Sequence, residues 1–159
     1  NELAFLAGRH LCGYRREYYV RVLFNAVADL EDLFLSALLL AQSALPLGTE
    51  KRARVEPISR AIEPLLQPQA LDELRGAYLR FMEEGGRTNL MRWNAAAEKT
   101  SCRAGMLLCN DLTVASGLLA QEEGALGELQ QDLITFTCSE RYFRLRRQLG
   151  ISLGQGAEP

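Results

Sequence analysis

Apolar positions recur along most of the chain at intervals of three and four, the period of a helix with one buried face. No stretch sustains the strict alternation of a half-solvated strand, so the pattern predicts an all-α fold. Glu2 to Gly13 places Leu3, Leu6, Ala7 and Leu11 on one face, with Gly13 as a natural stop. Tyr14 to Phe24 is ambiguous, being rich in aromatic and β-branched residues. It is read as helix because nothing else in the chain offers a sheet partner. A further helix is predicted from Leu30 to Ser43, capped by Asp29 and closed before Pro46.

Leu45 to Thr49 reads as a loop and Glu50 to Leu66 as a helix in which Pro57 marks a first turn or a kink. Pro64 and Pro68 separate it from Gln69 to Glu84, where Leu71, Leu74, Leu79 and Phe81 keep helical spacing and Gly85 and Gly86 end the element. The longest helix is expected from Thr88 to Cys109, favoured by Ala95, Ala96 and Ala97 and broken by Asn110-Asp111. Leu112 to Gln121, Leu129 to Thr137 and Ser139 to Leu149 complete the set. Gly124 and Gly127 bracket a turn, and Ser139 caps the last helix. That makes about seven or eight helices around one core. No period of ~34 residues is present, so a tetratricopeptide array is not supported.

Length and composition agree with this picture. A chain of 159 residues, 48% apolar and 24% charged, is enough for one globular domain, assigned here to residues 1–150. Residues 151–159 read as a flexible tail. The formal net charge is −2, with Lys and Arg spread along the chain, which argues against a nucleic-acid interface. The most apolar stretch, Leu33 to Ala41, is far short of the ~20 residues of a membrane span. Cys12, Cys102, Cys109 and Cys138 stand singly and read as reduced thiols of a cytoplasmic protein. The first residue is Asn, which suggests the C-terminal part of a longer chain.

Two distant segments carry chemistry. One runs Phe5-Leu6-Ala7-Gly8-Arg9-His10-Leu11-Cys12-Gly13-Tyr14, the other Glu98-Lys99-Thr100-Ser101-Cys102-Arg103-Ala104-Gly105-Met106-Leu107-Leu108-Cys109. Together they resemble the two metal-site helices of the Ste-type, HtpX-like zinc endopeptidases. There the first helix reads roughly F-h-h-G-H-E-L-G-H, with h apolar, and the later one E-x-x-A-D-R-A-G-L-L. The second segment is similar at Glu98, Arg103, Ala104, Gly105, Leu107 and Leu108, the first only at Phe5, Gly8 and Leu11.

The family's chemistry needs two histidines four residues apart on one helix face to grip zinc. A glutamate between them activates water, and a carboxylate from the later helix is the third ligand. Here those positions are Arg9, His10 and Gly13, within Arg9-His10-Leu11-Cys12-Gly13, and only Glu98 keeps the third ligand's place. Arginine has no lone pair for a metal and glycine has no side chain. The resemblance therefore implies a bacterial pseudo-peptidase with no catalytic residue, no metal and no cofactor. Two arrangements remain open. Arg9 can take the place of the zinc charge and pair with Glu98, or it can point to solvent while Glu98 bonds another donor.

His10 is the only histidine, so no Ser/His or Cys/His pair forms without it. A rewired His/Cys/Glu zinc site would join it to Cys12 or Cys102 and Glu98, although Cys12, two positions on, leaves from a different helix face. His10, Gly13 and Cys102 are otherwise flanking residues. Glu83-Glu84 and Glu122-Glu123 read as solvated helix ends. Arg141, Arg144, Arg146 and Arg147 read as a solvated basic face backed by Tyr142, Phe143 and Leu145, with docking of an acidic partner as the alternative. Trp93 reads as core. The expected function is a non-catalytic interaction or scaffold module, bound to another protein or to the rest of its own chain. The competing readings are a structural cap on a helical-repeat array and a metalloenzyme with rewired ligands.

Overall fold

The computed structural model describes residues 1–24, 26–122 and 126–151. The described residues form nine α-helices and a short 3-10 turn, with no strand, so the all-α class holds. The helices gather into two compact units, one formed by Asn1–Val22 with the chain from Asn94 onward, the other by Leu23–Trp93.

In the second unit α3 (Val27–Ala41) packs against α4 (Thr49–Ile62) and α5 (Pro68–Glu83). Leu30, Leu39 and Val55 are its buried apolar residues. Ser36 is buried among them, and its hydroxyl lies 2.6 Å from the Asp32 carbonyl and 3.2 Å from that of Val55, so no polar group is stranded. Phe34 and Phe81 meet edge to face at 5.7 Å and tie α3 to α5. Three sequence expectations shift here. α3 starts at Val27, so Asp29 lies in its first turn and Ala26 is the cap position. Pro57 sits inside α4, which rules out the first-turn alternative. On α5 the inward stripe is Leu71, Leu74, Tyr78 and Phe81, while Leu79 is exposed.

The end of α5 follows from its two glycines. Gly85 and Gly86 have φ of +101° and +62°, which side chains with a Cβ rarely adopt. The Gly86 N–H donates to the Phe81 carbonyl and the Gly85 N–H to that of Met82, the Schellman closure of a helix.

The first unit holds α1 (Glu2–Gly13), the short α2 (Val20–Leu23, which runs one residue past the unit's edge) and, from Asn94, most of α6 (Leu90–Cys109). It also holds α7 (Leu112–Leu119), α8 (Leu126–Thr137) and α9 (Glu140–Gln148). Residues 14–19, expected as helix, form a run of turns instead. Gly127 lies inside the first turn of α8 and not at a turn before it; Gly124 falls outside the described residues. Asn110, at φ 52°, ends α6, and Asp111 caps α7 by accepting from the Val114 N–H at 3.1 Å. Ser139 caps α9 through the Tyr142 N–H.

Phe5, Cys102, Met106, Ala115, Leu119, Leu133, Phe136 and Tyr142 form the core of this unit. Arg146 is buried with them and does not join the solvated basic face of α9. Its guanidinium donates to the Leu107 carbonyl at 2.6 Å and also to that of Ile151, the one described residue of the expected tail. Phe143, assigned to the apolar strip, is 57% exposed instead. Trp93 is half-buried.

Candidate functional site

The site is built on a helix crossing that glycine makes possible. A Cβ added at Gly8 would lie 2.8 Å from the Ala104 carbonyl oxygen and from the Gly105 Cα. One added at Gly105 would lie 2.6 Å from the Phe5 carbonyl oxygen. Real Cβ atoms do not come so close to backbone, so α1 and α6 can touch main chain to main chain only because both positions lack a side chain. The buried face of α1 is therefore Phe5, Gly8 and Cys12. The expected face is not buried: Leu3, Leu6 and Leu11 are 79%, 46% and 62% exposed. A count of apolar residues cannot see a contact whose central residue is glycine.

This crossing sets Arg9, next to Gly8, against Glu98 on α6. The Arg9 guanidinium donates to Glu98 Oε1 at 2.6 Å and to both Glu122 oxygens, at 2.5 and 3.0 Å. Arg21 from α2 donates to the other oxygen of Glu98 at 2.6 Å and, through Nε, to Asn94 Oδ1 at 2.6 Å. Of the two arrangements left open by the sequence, the geometry has the paired one. Arg9 and Arg21 are mostly buried, Glu98 is 30% exposed and Glu122 is 46% exposed. Two guanidinium groups and two carboxylates leave the cluster with no formal net charge.

Its electrostatics follow from these contacts. The hydrogen bond from Arg9 to Glu122 outweighs burial and, with that to Glu98, pushes the Arg9 guanidinium still higher. Burial alone would raise the Glu98 carboxyl, but the guanidinium groups of Arg21 and Arg9 reverse that and hold it below its ordinary value. Cys102 is fully buried one turn along α6, with Sγ 3.9 Å from Glu98 Oε1. Burial pushes its thiol up to about 12.

Arg21 and Glu122 were not legible as partners of this site. Glu122 is exposed just past the end of α7, as expected, and is also a member of the cluster; Glu123 lies outside the described residues. The available signal was stoichiometric. A half-buried carboxylate has lone pairs on two oxygens, and one arginine reaching one of them leaves the other to find its own donor.

Of the flanking residues, Cys102 reaches the cluster through Glu98, whereas His10 and Gly13 do not. His10 is exposed and stacks edge-on against Tyr14 at 5.1 Å. Gly13 ends α1, where a Cβ would meet Val22 Cγ2 at 3.1 Å. Cys12 is buried. Among the described residues no group of three or more His, Cys, Asp or Glu side chains could hold a metal ion. Both Glu98 oxygens already accept from guanidinium groups, so this carboxylate has no oxygen left free of a cation for a metal ion.

A groove of about 610 Å³ opens beside the cluster but is lined by neither Arg9 nor Glu98. Leu11, Ala104, Leu107, Leu108 and Leu145 form its apolar surface, and Arg15, Arg103 and Arg141 are its charged residues. Arg103 is held by a bidentate pair with Asp132, at 2.6 and 2.8 Å, and lies over the Phe136 ring. Comparison of the chain with protein-family models, with curated proteins and with solved structures gives no match.

Proposed function

We propose that the chain is a non-catalytic protein-interaction module on the helical core of a degenerate zinc peptidase. The observation that carries the reading is the double engagement of Glu98. The carboxylate that stands at the third-ligand position has each oxygen on a different arginine, so fixed cations take the electrostatic place of a metal. Such a cluster keeps α1, α2 and α6 in register without metal and leaves no group able to activate water at that point. Free cysteines, three of them buried, fit a cytoplasmic setting.

The test is elemental analysis of the chain produced in zinc-supplemented medium, with a casein-cleavage assay alongside. Zinc far below one equivalent and no cleavage are expected. About one equivalent of tightly held zinc, with cleavage abolished by a chelator, would overturn the reading.

The outer face of α1 favours a second reading, a cap on a helical-repeat array. Leu3 and Leu6 project from it exposed, as they would where a neighbouring repeat docks. If that face is the functional one, the chain self-associates through it in sedimentation experiments, and Leu3→Lys with Leu6→Lys returns it to monomer.

A further inference from the structure

We propose that the groove between α1, α6 and α9 binds a short acidic amphipathic peptide segment, apolar on one side and carboxylate-bearing at its edge. This rests on the interaction-module reading and names the class of partner. The surface is apolar: Leu11 and Leu108 line the groove yet are 62% and 45% exposed, with Leu107 beside them. Its volume, about 610 Å³, accommodates a few side chains of a partner and falls within the usual range of binding clefts.

The charge is one-sided. Every ionisable carboxylate or guanidinium group lining the groove is an arginine. Arg15 and Arg103 are tied to Glu17 and Asp132, but among the described residues no carboxylate pairs with Arg141. Arg144 and Arg147 are exposed on the same helix, whose only acidic residue is Glu140. A carboxylate beside Arg141 would gain a charge-assisted hydrogen bond that the free protein does not offer it. A nucleic-acid backbone would use the arginines but leave the leucines without a partner, so the apolar floor favours a peptide.

The test is selection from a displayed random twelve-residue peptide library on the intact chain, with counter-selection on L108E and R141E variants checked for native helicity. Enriched peptides are expected to carry net negative charge and apolar residues three or four apart. Their affinity should fall about tenfold in R141E and in L108E, and should weaken between 0.1 and about 0.5 M salt. Groove-dependent peptides that are neutral or basic would overturn the acidic class while leaving the interaction module standing. Binding of an oligonucleotide or an anionic phosphatidylglycerol vesicle at the same groove, in place of peptide, would overturn it too. Enrichment only of peptides that both variants keep would overturn the groove and leave the interaction module standing, whereas enrichment of no peptide at all would overturn both.

Discussion

Glu98 is the carboxylate that two arginines share, so its removal strands more charge than an ordinary surface substitution does. In a Glu98→Ala variant, among the described residues, Arg21 keeps Asn94 as its hydrogen-bond partner and Arg9 keeps Glu122, with both guanidinium groups still mostly buried. A loss of about 1–3 kcal/mol in denaturant unfolding is expected, below the cost of a fully buried pair because the cluster is partly open to water. Glu98→Gln keeps the shape and removes the charge, and should fall between wild type and Glu98→Ala. The thiols supply a second residue-level prediction. Cys102 is fully buried beside a carboxylate, with its thiol raised to about 12, whereas Cys138 is exposed. Native protein treated with a maleimide at neutral pH should be modified at Cys138, and at Cys102 only after unfolding, as peptide mass mapping would show.

At the level of elements, the crossing of α1 and α6 depends on two missing side chains. Gly8→Ala and Gly105→Ala each place a Cβ inside van der Waals distance of backbone, which cannot move aside as a flexible side chain can. Each should cost about 2–3 kcal/mol, and Gly105→Ala more than Gly8→Ala, because its Cβ would meet the Phe5 carbonyl at 2.6 Å. Gly117 in α7 is the internal control. Nothing lies within 4 Å of a Cβ there, so Gly117→Ala should stabilise by about 0.5–1 kcal/mol through helix propensity alone. A uniform response of the three variants would show that propensity, not the crossing, governs these positions. Gly85→Ala should destabilise by about 1 kcal/mol through backbone strain at φ +101°, although space is free around it.

For the whole molecule, the cluster predicts how stability depends on pH. The Glu98 carboxyl is held below its ordinary value of 4.5 in the folded chain. Its contribution is therefore complete above that value and is lost as pH falls through the lower, folded one. The stability difference between wild type and Glu98→Gln should be constant from neutral pH to about pH 5 and narrow on further acidification. Glu17 and Asp111 are also held below their ordinary values, but both proteins share them and they cancel in the difference. A gap in melting temperature that stays unchanged down to pH 3 would remove the Glu98 charge from the account.

Local chemistry was enough for most of the helices, though not for residues 14–19, which form turns. The span Glu2–Gly13, the cap at Ser139, the break at Asn110-Asp111 and the stop at Gly85-Gly86 follow from periodicity, side-chain hydrogen bonding and access to positive φ, all of which act within a few residues. Which face of α1 is buried was decided only in three dimensions, because the contact at Gly8 and Gly105 is made by backbone and adds nothing to an apolar count. The same holds for Glu98. Its environment follows from Arg21, 77 positions away, and from Glu122 in the turn after α7. Charges that far apart in sequence become partners only once packing of the first unit has brought them within hydrogen-bond reach.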